Sequence, residues 1–131
     1  DIPTSGNGET ILLVEDDKSI LKLGGRMLTN LGYNVIPISD PSEAILIPQE
    51  KLAEIDLLIT DVVMPKMNGR ELSNHLHKKN PHLKTLYMSG YTANVIAHRG
   101  VLDEGVSFIP KPLSKAELSF KVREVLDKAV G

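Results

Sequence analysis

Apolar residues in this chain form five short, continuous runs that are separated by longer segments with helical spacing. The runs occupy residues 10–15, 34–38, 56–60, 84–89 and 106–110. They are apolar throughout and do not alternate with polar residues, a pattern typical of strands in a parallel sheet that is covered on both faces. We therefore expect five buried, parallel strands.

Helical patterns fill the intervals between these runs, at residues 17–32, 41–51, 69–79, 92–102 and 114–129. Asp17 and Ser114 are good N-caps, and Gly32 and Pro81 are typical of positions just beyond a helix end. Pro48 should shorten or kink the second helix, because proline lacks a backbone N–H and clashes with the preceding turn. The fourth segment has few apolar residues, which suits a helix that can move.

This alternation predicts an α/β fold. Five strands and five helices within about 120 residues imply right-handed βαβ units in an open, doubly wound sheet. Ligands bind such sheets beyond the carboxyl ends of the strands. The functional candidates are therefore the polar residues that terminate the strands, namely Glu15, Asp16, Asp17, Ser39, Asp40, Asp61, Ser89 and Lys111.

The composition excludes several classes of protein. At 131 residues, with 41% hydrophobic and 24% charged residues, we expect one globular domain preceded by a linker at residues 1–9. The formal net charge of −2 gives no electrostatic basis for binding nucleic acid or an anionic membrane. The absence of cysteine excludes disulfides, thiolate zinc sites and thiol nucleophiles, and is compatible with a reducing compartment such as the cytoplasm. No apolar run is long enough to span a bilayer.

The stretch LLITDVVMPKMNG, residues 57–69, contains the most unusual strand end. An apolar strand runs into a single acid, Asp61, and Pro65 then prevents the strand from continuing. Asp61 could simply begin a turn. Its position at the mouth of a parallel sheet favours a role in chemistry instead.

Four ordered motifs make the chain, from Thr10 to about Ala129, resemble the receiver domain of response regulators in two-component signalling. They are LLVEDD at the first strand end, ITDVVMPKMNG at the third, YMSGY at the fourth and FIPKPL at the fifth. The resemblance implies a flavodoxin-like (βα)5 sandwich with strand order 2-1-3-4-5, and a receiver domain that occupies residues 10–131.

The resemblance also implies a phosphorylation site. Asp61 would accept a phosphoryl group from the phosphohistidine of a histidine kinase, a transfer that requires the phosphoryl oxygens to be neutralised. Mg²⁺ or Mn²⁺ would contact Asp16 and Asp61 directly, Glu15 through water, and the backbone carbonyl of Val63. Asp17 is expected to act as a helix cap only.

Further roles follow from the same resemblance. Ser89 and Lys111 would contact phosphoryl oxygens, and the Lys111–Pro112 peptide bond would be cis. Ser89 and Phe108 would form a switch that remodels the surface of the fourth predicted helix, the fifth strand and the last helix. Val63 and Tyr91 would flank the phosphoryl group.

The stretch YMSGYTANVIAHRGVLDEGVSFIPKPLS, residues 87–114, is similar to receivers at the carboxyl end of hybrid sensor histidine kinases. We therefore favour that origin over a stand-alone regulator, and expect no output domain after the last helix. The expected partners are a histidine kinase, in cis or in trans, and a histidine phosphotransfer domain. The domain would be a cytoplasmic signalling module, tethered to a membrane sensor if its kinase is one, and either a monomer or a weak dimer.

Two alternatives belong to other functional classes. Phosphoryl-transfer hydrolases with an aspartyl nucleophile need a second acid two residues later, and Val63 holds that position here. A pseudo-receiver would act as an interaction module that never accepts phosphate. The complete set of strand-end residues argues against it, namely Glu15, Asp16, Asp61, Ser89 and Lys111.

We expect slow self-dephosphorylation of the isolated domain. Neither Val63 nor Tyr91 carries a charged side chain that could position an attacking water molecule, and their apolar bulk hinders in-line attack. The decay of phosphorylated protein, followed by intact-mass spectrometry, measures this lifetime. A half-life of only seconds would contradict the expectation.

Overall fold

The predicted strands form one five-stranded parallel sheet in the order β2-β1-β3-β4-β5, as the resemblance implied. The computed structural model describes residues 6–90 and 106–128. The predicted fourth helix (92–102), Tyr91 and Ala129 lie outside the described residues. The elements are β1 (Thr10–Val14), α1 (Lys18–Asn30), β2 (Asn34–Ile38), α2 (Pro41–Ile45), α3 (Gln49–Leu52), β3 (Leu57–Asp61), α4 (Gly69–Lys79), β4 (Lys84–Ser89), β5 (Phe108–Pro110) and α5 (Lys115–Asp127).

Both faces of the sheet are covered at its central strands, which explains why these strands are mostly apolar. The edge strand β2 was expected to be buried as well but is only partly buried, because a neighbouring strand covers it on one side alone. Ile11 and Ile59 lie in one buried cluster, together with apolar residues of α1 and α5. Leu12 and Leu58 lie in a second cluster, with residues of α2, α3 and α4. Successive strand residues therefore pack on opposite layers of helix, as the period of two in a strand requires.

The helices begin where the sequence predicted. Asp17 accepts hydrogen bonds from the backbone N–H groups of Ser19 (2.9 Å) and Ile20 (3.2 Å) at the start of α1. At the start of α4, Asn68 and Glu71 form a reciprocal capping box. Each cap fixes where its helix leaves the carboxyl edge of the sheet.

The predicted helix at residues 41–51 is divided into α2 and α3. Helix α2 ends at Ile45, and Pro48 is the N-cap residue of α3. Proline cannot donate a backbone hydrogen bond to the preceding turn, so the first helix stops before it and a new one starts after it. Of the helices in the described ranges, none is both long and apolar enough to cross a bilayer.

Residues 6–9, within the predicted linker, contact the domain at the amino end of the sheet. The N–H of Gly8 donates to the carbonyl oxygen of Gly32 at 3.0 Å. The Glu9 carboxylate pairs with Arg123 of α5 at 2.7 Å. This segment therefore joins α1, β2 and α5 at the end of the molecule opposite the strand termini that carry Asp61.

The first residue of α4 determines how closely that helix approaches the end of β3. A Cβ atom on Gly69 would collide with the backbone carbonyl oxygen of Asp61 and lie 3.1 Å from Thr60 Cγ2. The Gly69 N–H also donates to the carbonyl oxygen of Val62 at 2.8 Å. Because glycine has no Cβ atom, α4 can approach the end of β3 this closely.

Gly69→Ala should therefore lower the free energy of unfolding by about 1–3 kcal/mol, the usual cost of an overpacked core position. Gly25→Ala is the matched control, since a Cβ atom on Gly25 would meet no atom within 4 Å. That change should stabilise α1 by up to about 1 kcal/mol, because alanine favours a helix more than glycine does. Urea denaturation followed by circular dichroism measures both. Equal effects of the two substitutions would contradict the prediction.

Candidate functional site

Three acidic side chains meet at the carboxyl edge of the sheet. Glu15 directly follows β1, and Asp61 ends β3, the strand that pairs with β1 in parallel. One carboxylate oxygen each from Glu15, Asp16 and Asp61 lies within 4.8 Å of the others. Glu15 is fully buried and Asp61 is 7% exposed, whereas Asp16 lies at the surface. The structure thus brings together the acids that were predicted to hold a metal ion.

Lys111 places its ammonium group among these acids. Its Nζ lies 2.5 Å from Glu15 Oε1 and 3.0 Å from Asp61 Oδ2. The backbone N–H of Lys111 donates to the carbonyl oxygen of Ser89 at 2.9 Å, which ties the residue to the end of β4. The Lys111–Pro112 peptide bond is cis, as predicted.

Glu15 is held from two sides. Its Oε2 accepts the backbone N–H of Asp17 at 3.2 Å, and its Oε1 faces Lys111. A carboxylate that is fully removed from water needs such partners, because desolvation penalises its charge. Glu15 is therefore fixed in place at the base of the acidic cluster.

The electrostatics of the cluster favour a further cation. Three carboxylates and one ammonium group give a formal charge of −2. Burial alone would lower the pKa of Lys111, but its hydrogen bonds to Glu15 and Asp61 and their negative charges outweigh that effect and raise the pKa. Partial burial also raises the pKa of Asp16, and a hydrogen bond to Glu15 and the charge of Glu15 add to that rise.

The donor set fits a hard divalent cation. Carboxylate oxygens are the ligands that Mg²⁺ and Mn²⁺ prefer, and the protein can leave several coordination positions to water. A divalent ion would also cancel the formal charge of −2. The acidic pocket of this chain is therefore suited to such an ion.

The predicted switch residues lie beside the cluster. Ser89 is buried at the end of β4, next to β5 in the sheet register. Phe108, the first residue of β5, is partly buried and packs against Val62 and Tyr87. Val63 is 55% exposed in the loop after Asp61. Tyr91, which was also predicted to flank the phosphoryl group, lies outside the described ranges.

Two other strand-end candidates have local structural roles. Asp17 caps α1. Asp40 caps α2 through the Ser42 N–H and pairs with Lys66 at 2.9 Å. The hydrogen bonds from Lys66 and Ser42 lower the pKa of Asp40 to about 2. Neither acid belongs to the cluster around Asp61.

The contact of Lys111 with both Glu15 and Asp61 was missed at the level of sequence, where Lys111 was assigned to phosphoryl oxygens alone. Only the crossover connections of the fold bring residue 111 to residue 15. The amino-acid sequence indicates this contact only weakly. Buried acids need a cation, and Lys111 is the basic residue in the FIPKPL motif at a strand end.

Lys111→Met should lower the free energy of unfolding by about 3 kcal/mol near neutral pH, because it leaves two buried acids without their ammonium partner. The raised pKa of Lys111 fixes the sign of the pH dependence. The stabilisation that Lys111 contributes to the folded state is complete below 10.5, the ordinary lysine pKa of the unfolded chain. It is lost as the pH rises through the higher pKa that Lys111 has in the folded protein. The difference between the two proteins should thus be smaller at about pH 11 than at about pH 8.

Lys66→Met is the control for this experiment. Lys66 is also paired with an acid, Asp40, but its side chain is 68% exposed. An exposed pair contributes little to stability, so the urea midpoint should hardly change. If the two variants lost equal stability, the buried position of Lys111 would have no special importance.

Comparison with known proteins agrees with this geometry. Residues 11–123 match the family described as response regulator receiver domain. The chain is 38% identical over 119 residues to Sensor kinase CckA of Brucella abortus, covering 91% of this chain and 13% of that protein. It is 32% identical over 112 residues to the transcriptional regulatory protein YrkP of Bacillus subtilis, covering 86% of this chain and 47% of that protein. The chain thus spans less than half the length of either relative.

Solved structures show the same relationship. The receiver domain from Hybrid Histidine Kinase CckA superposes with a TM-score of 0.75 at 32% identity, covering 90% of this chain and 99% of that one. A CheX-CheY-BeF3-Mg²⁺ complex from Borrelia burgdorferi gives a TM-score of 0.78 at 25% identity, covering 92% of this chain and 90% of that one. The sheet order, the acidic cluster and the family match lead to one conclusion: this chain belongs to the response regulator receiver domain family of two-component signalling.

Proposed function

We propose that Asp61 accepts a phosphoryl group from the phosphohistidine of a histidine kinase or a histidine phosphotransfer domain. The observation that carries this proposal is the buried Asp61 carboxylate at the end of β3, 3.0 Å from the Lys111 ammonium and within 4.8 Å of two further acids. A carboxylate oxygen of Asp61 forms the new bond to phosphorus. The bond from phosphorus to the histidine nitrogen breaks, and the imidazole retains that electron pair.

Lys111 stabilises the product of this transfer. Phosphorylation replaces a carboxylate charge on Asp61 with a more highly charged phosphoryl group. The ammonium group, already 3.0 Å from Asp61, can then pair with a phosphoryl oxygen. The Ser89 hydroxyl would donate to another, since its backbone is tied to Lys111 at the same edge of the sheet.

The proposed cation is Mg²⁺, with Mn²⁺ as an alternative. Asp16 and Asp61 would hold it directly, Glu15 would act through water, and the backbone carbonyl of Val63 would complete the protein ligands. When bound, the ion neutralises phosphoryl oxygens during transfer. The formal charge of −2 in the pocket supports this assignment, as does Mg²⁺ in the similar complex from Borrelia burgdorferi.

Ser89 and Phe108 form the proposed switch. A phosphoryl group on Asp61 would attract the Ser89 hydroxyl, and Phe108 would then move inward. Phe108 lies partly buried against Val62, which follows Asp61 directly, so a displacement of that loop changes its packing. The affected surface would include β5, α5 and the fourth predicted helix. That helix lies outside the described residues. Such a change is a population shift between two arrangements.

We propose that the domain comes from a hybrid histidine kinase, because it is similar to the receiver of the hybrid histidine kinase CckA. Its activity is then that of a signalling module that promotes its own phosphorylation and slow dephosphorylation. A phosphorylation-independent pseudo-receiver is the alternative. The acidic cluster paired with Lys111 favours the phosphoacceptor, because an interaction module has no need for a buried site of net negative charge.

Intact-mass spectrometry with Mg²⁺ and acetyl phosphate should detect one added phosphoryl group on the wild-type domain. Asp61→Asn should remain unmodified, because an amide oxygen at this position is a far weaker nucleophile than a carboxylate. Asp17→Asn is the matched control, since asparagine caps a helix as well as aspartate does. It should be phosphorylated like the wild type.

Phosphorylation of Asp61→Asn to the wild-type extent would place the acceptor elsewhere. No adduct on the wild-type domain, together with no Mg²⁺ binding by calorimetry, would favour the pseudo-receiver.

A further inference from the structure

Residues 6–9 lie across the end of the molecule opposite the acidic cluster, and we call them the amino-terminal strap. The N–H of Gly8 donates to the carbonyl oxygen of Gly32 at 3.0 Å, and the Gly8 carbonyl oxygen accepts the side-chain amide of Asn34 at 2.8 Å. The carbonyl oxygen of Glu9 accepts the Asn34 N–H at 2.9 Å, where β1 begins to pair with β2. The strap is therefore held along its length by the turn between α1 and β2.

Two glycines allow the strap to lie close to this turn. A Cβ atom on Gly6 would lie 2.6 Å from the Tyr33 ring, and one on Gly32 would lie 2.9 Å from the carbonyl oxygen of Gly6. Gly32 also has a φ of 97°, in the left-handed region that favours glycine. Tyr33 is only 4% exposed. The strap is thus packed as a part of the folded domain.

The strap reaches α5 through one ion pair. Arg123 Nη1 donates to Glu9 Oε2 at 2.7 Å, while Nε and Nη2 of the same guanidinium donate to Asp127 Oδ1 at 3.2 and 2.6 Å. The side chains of Arg123 and Glu9 are only 18% and 20% exposed, so solvent screens this pair less than a surface pair. The planar guanidinium fixes the direction of each bond, and the pair therefore depends on where α5 lies.

The same part of α5 borders the proposed switch. Phe108 of β5 lines a cavity of about 330 Å³ together with Phe120 and Glu124 of α5. Phe120 and Arg123 are three residues apart, which makes them neighbours on the surface of the helix. Helix α5 is continuous from Lys115 to Asp127. A displacement of α5 at the cavity would therefore also move the guanidinium that holds the strap.

We propose that the amino-terminal strap is a regulatory element that holds α5 in its present position and is released when Asp61 is phosphorylated. The inference rests on the proposed function, in which Phe108 moves inward after phosphorylation. That movement would enlarge the cavity beside Phe120, and α5 would shift to restore close packing. The shift would misalign the hydrogen bond from Arg123 to Glu9 and weaken it. Because coupling between two sites is reciprocal, the bound strap would in turn oppose phosphorylation.

Hydrogen exchange followed by mass spectrometry measures the release of the strap through the backbone N–H groups of Gly6, Asn7 and Gly8. Mg²⁺ with beryllium fluoride, a phosphoryl analogue, replaces phosphorylation so that the bound state persists during exchange. In the wild type, the analogue should increase the exchange rate of the strap at least about threefold. Asp61→Asn should show no increase, because it lacks the carboxylate that binds the analogue.

Two variants loosen the strap by different means. Glu9→Gln removes the charge that pairs with Arg123, and Gly6→Ala displaces the strap from the Tyr33 ring. Both should exchange rapidly without the analogue and should bind it at least about threefold more tightly in calorimetry. A strap with a structural role alone would not change this affinity. Glu54→Gln, the same substitution at an exposed glutamate outside the strap, is the matched control and should behave like the wild type.

The outcomes separate this inference from the proposed function. Binding of the analogue to the wild type without faster exchange of the strap would overturn the inference and leave the acceptor role intact. Wild-type affinity for the analogue in either strap variant, shown by urea denaturation to be folded, would also overturn it. No binding of the analogue to the wild type would contradict the proposed function itself, and the inference with it.

Discussion

The ion pairs of Lys111 with Glu15 and Asp61 are the interaction on which the site depends. Two carboxylates that are almost completely buried lie near each other here, and the Lys111 ammonium group pairs with both of them. The ammonium group supplies one positive charge against three acids, so the pocket is stable enough to form and still carries a charge of −2. A site neutralised completely by its own lysine would have little affinity for a divalent ion. The same lysine thus pairs with the buried acids and leaves the pocket suited to a divalent cation.

The topology of the sheet explains how this contact arises. Lys111 follows β5, which pairs with β4 and not with β3 or β1. Its side chain must therefore extend across the end of β4 to reach the two acids. Ser89 terminates β4 at that crossing, and its carbonyl oxygen holds the Lys111 backbone. Ser89 itself is buried at this strand end.

Sequence reasoning predicted the elements well wherever local chemistry determines them. Continuous, mostly apolar runs marked the strands to within a few residues, since burial on both faces leaves few polar positions inside the central strands. Asp17 and Pro48 marked helix boundaries through hydrogen-bonding capacity alone. The contact between Lys111 and Glu15 could not be predicted in this way, because it joins residues that are distant in sequence. It depends on strand order, which came from resemblance to a family and not from the residue pattern.

The net charge of the chain conceals two local charge patterns of opposite sign. At −2, the total charge gives no electrostatic reason to expect nucleic acid as a partner. Yet the acidic pocket carries −2 by itself, and Lys18, Lys22 and Arg26 place three positive charges along α1 immediately after it. A partner that approaches this end of the molecule meets a field that changes sign along one helix. Such a field favours one orientation of the partner over its reverse.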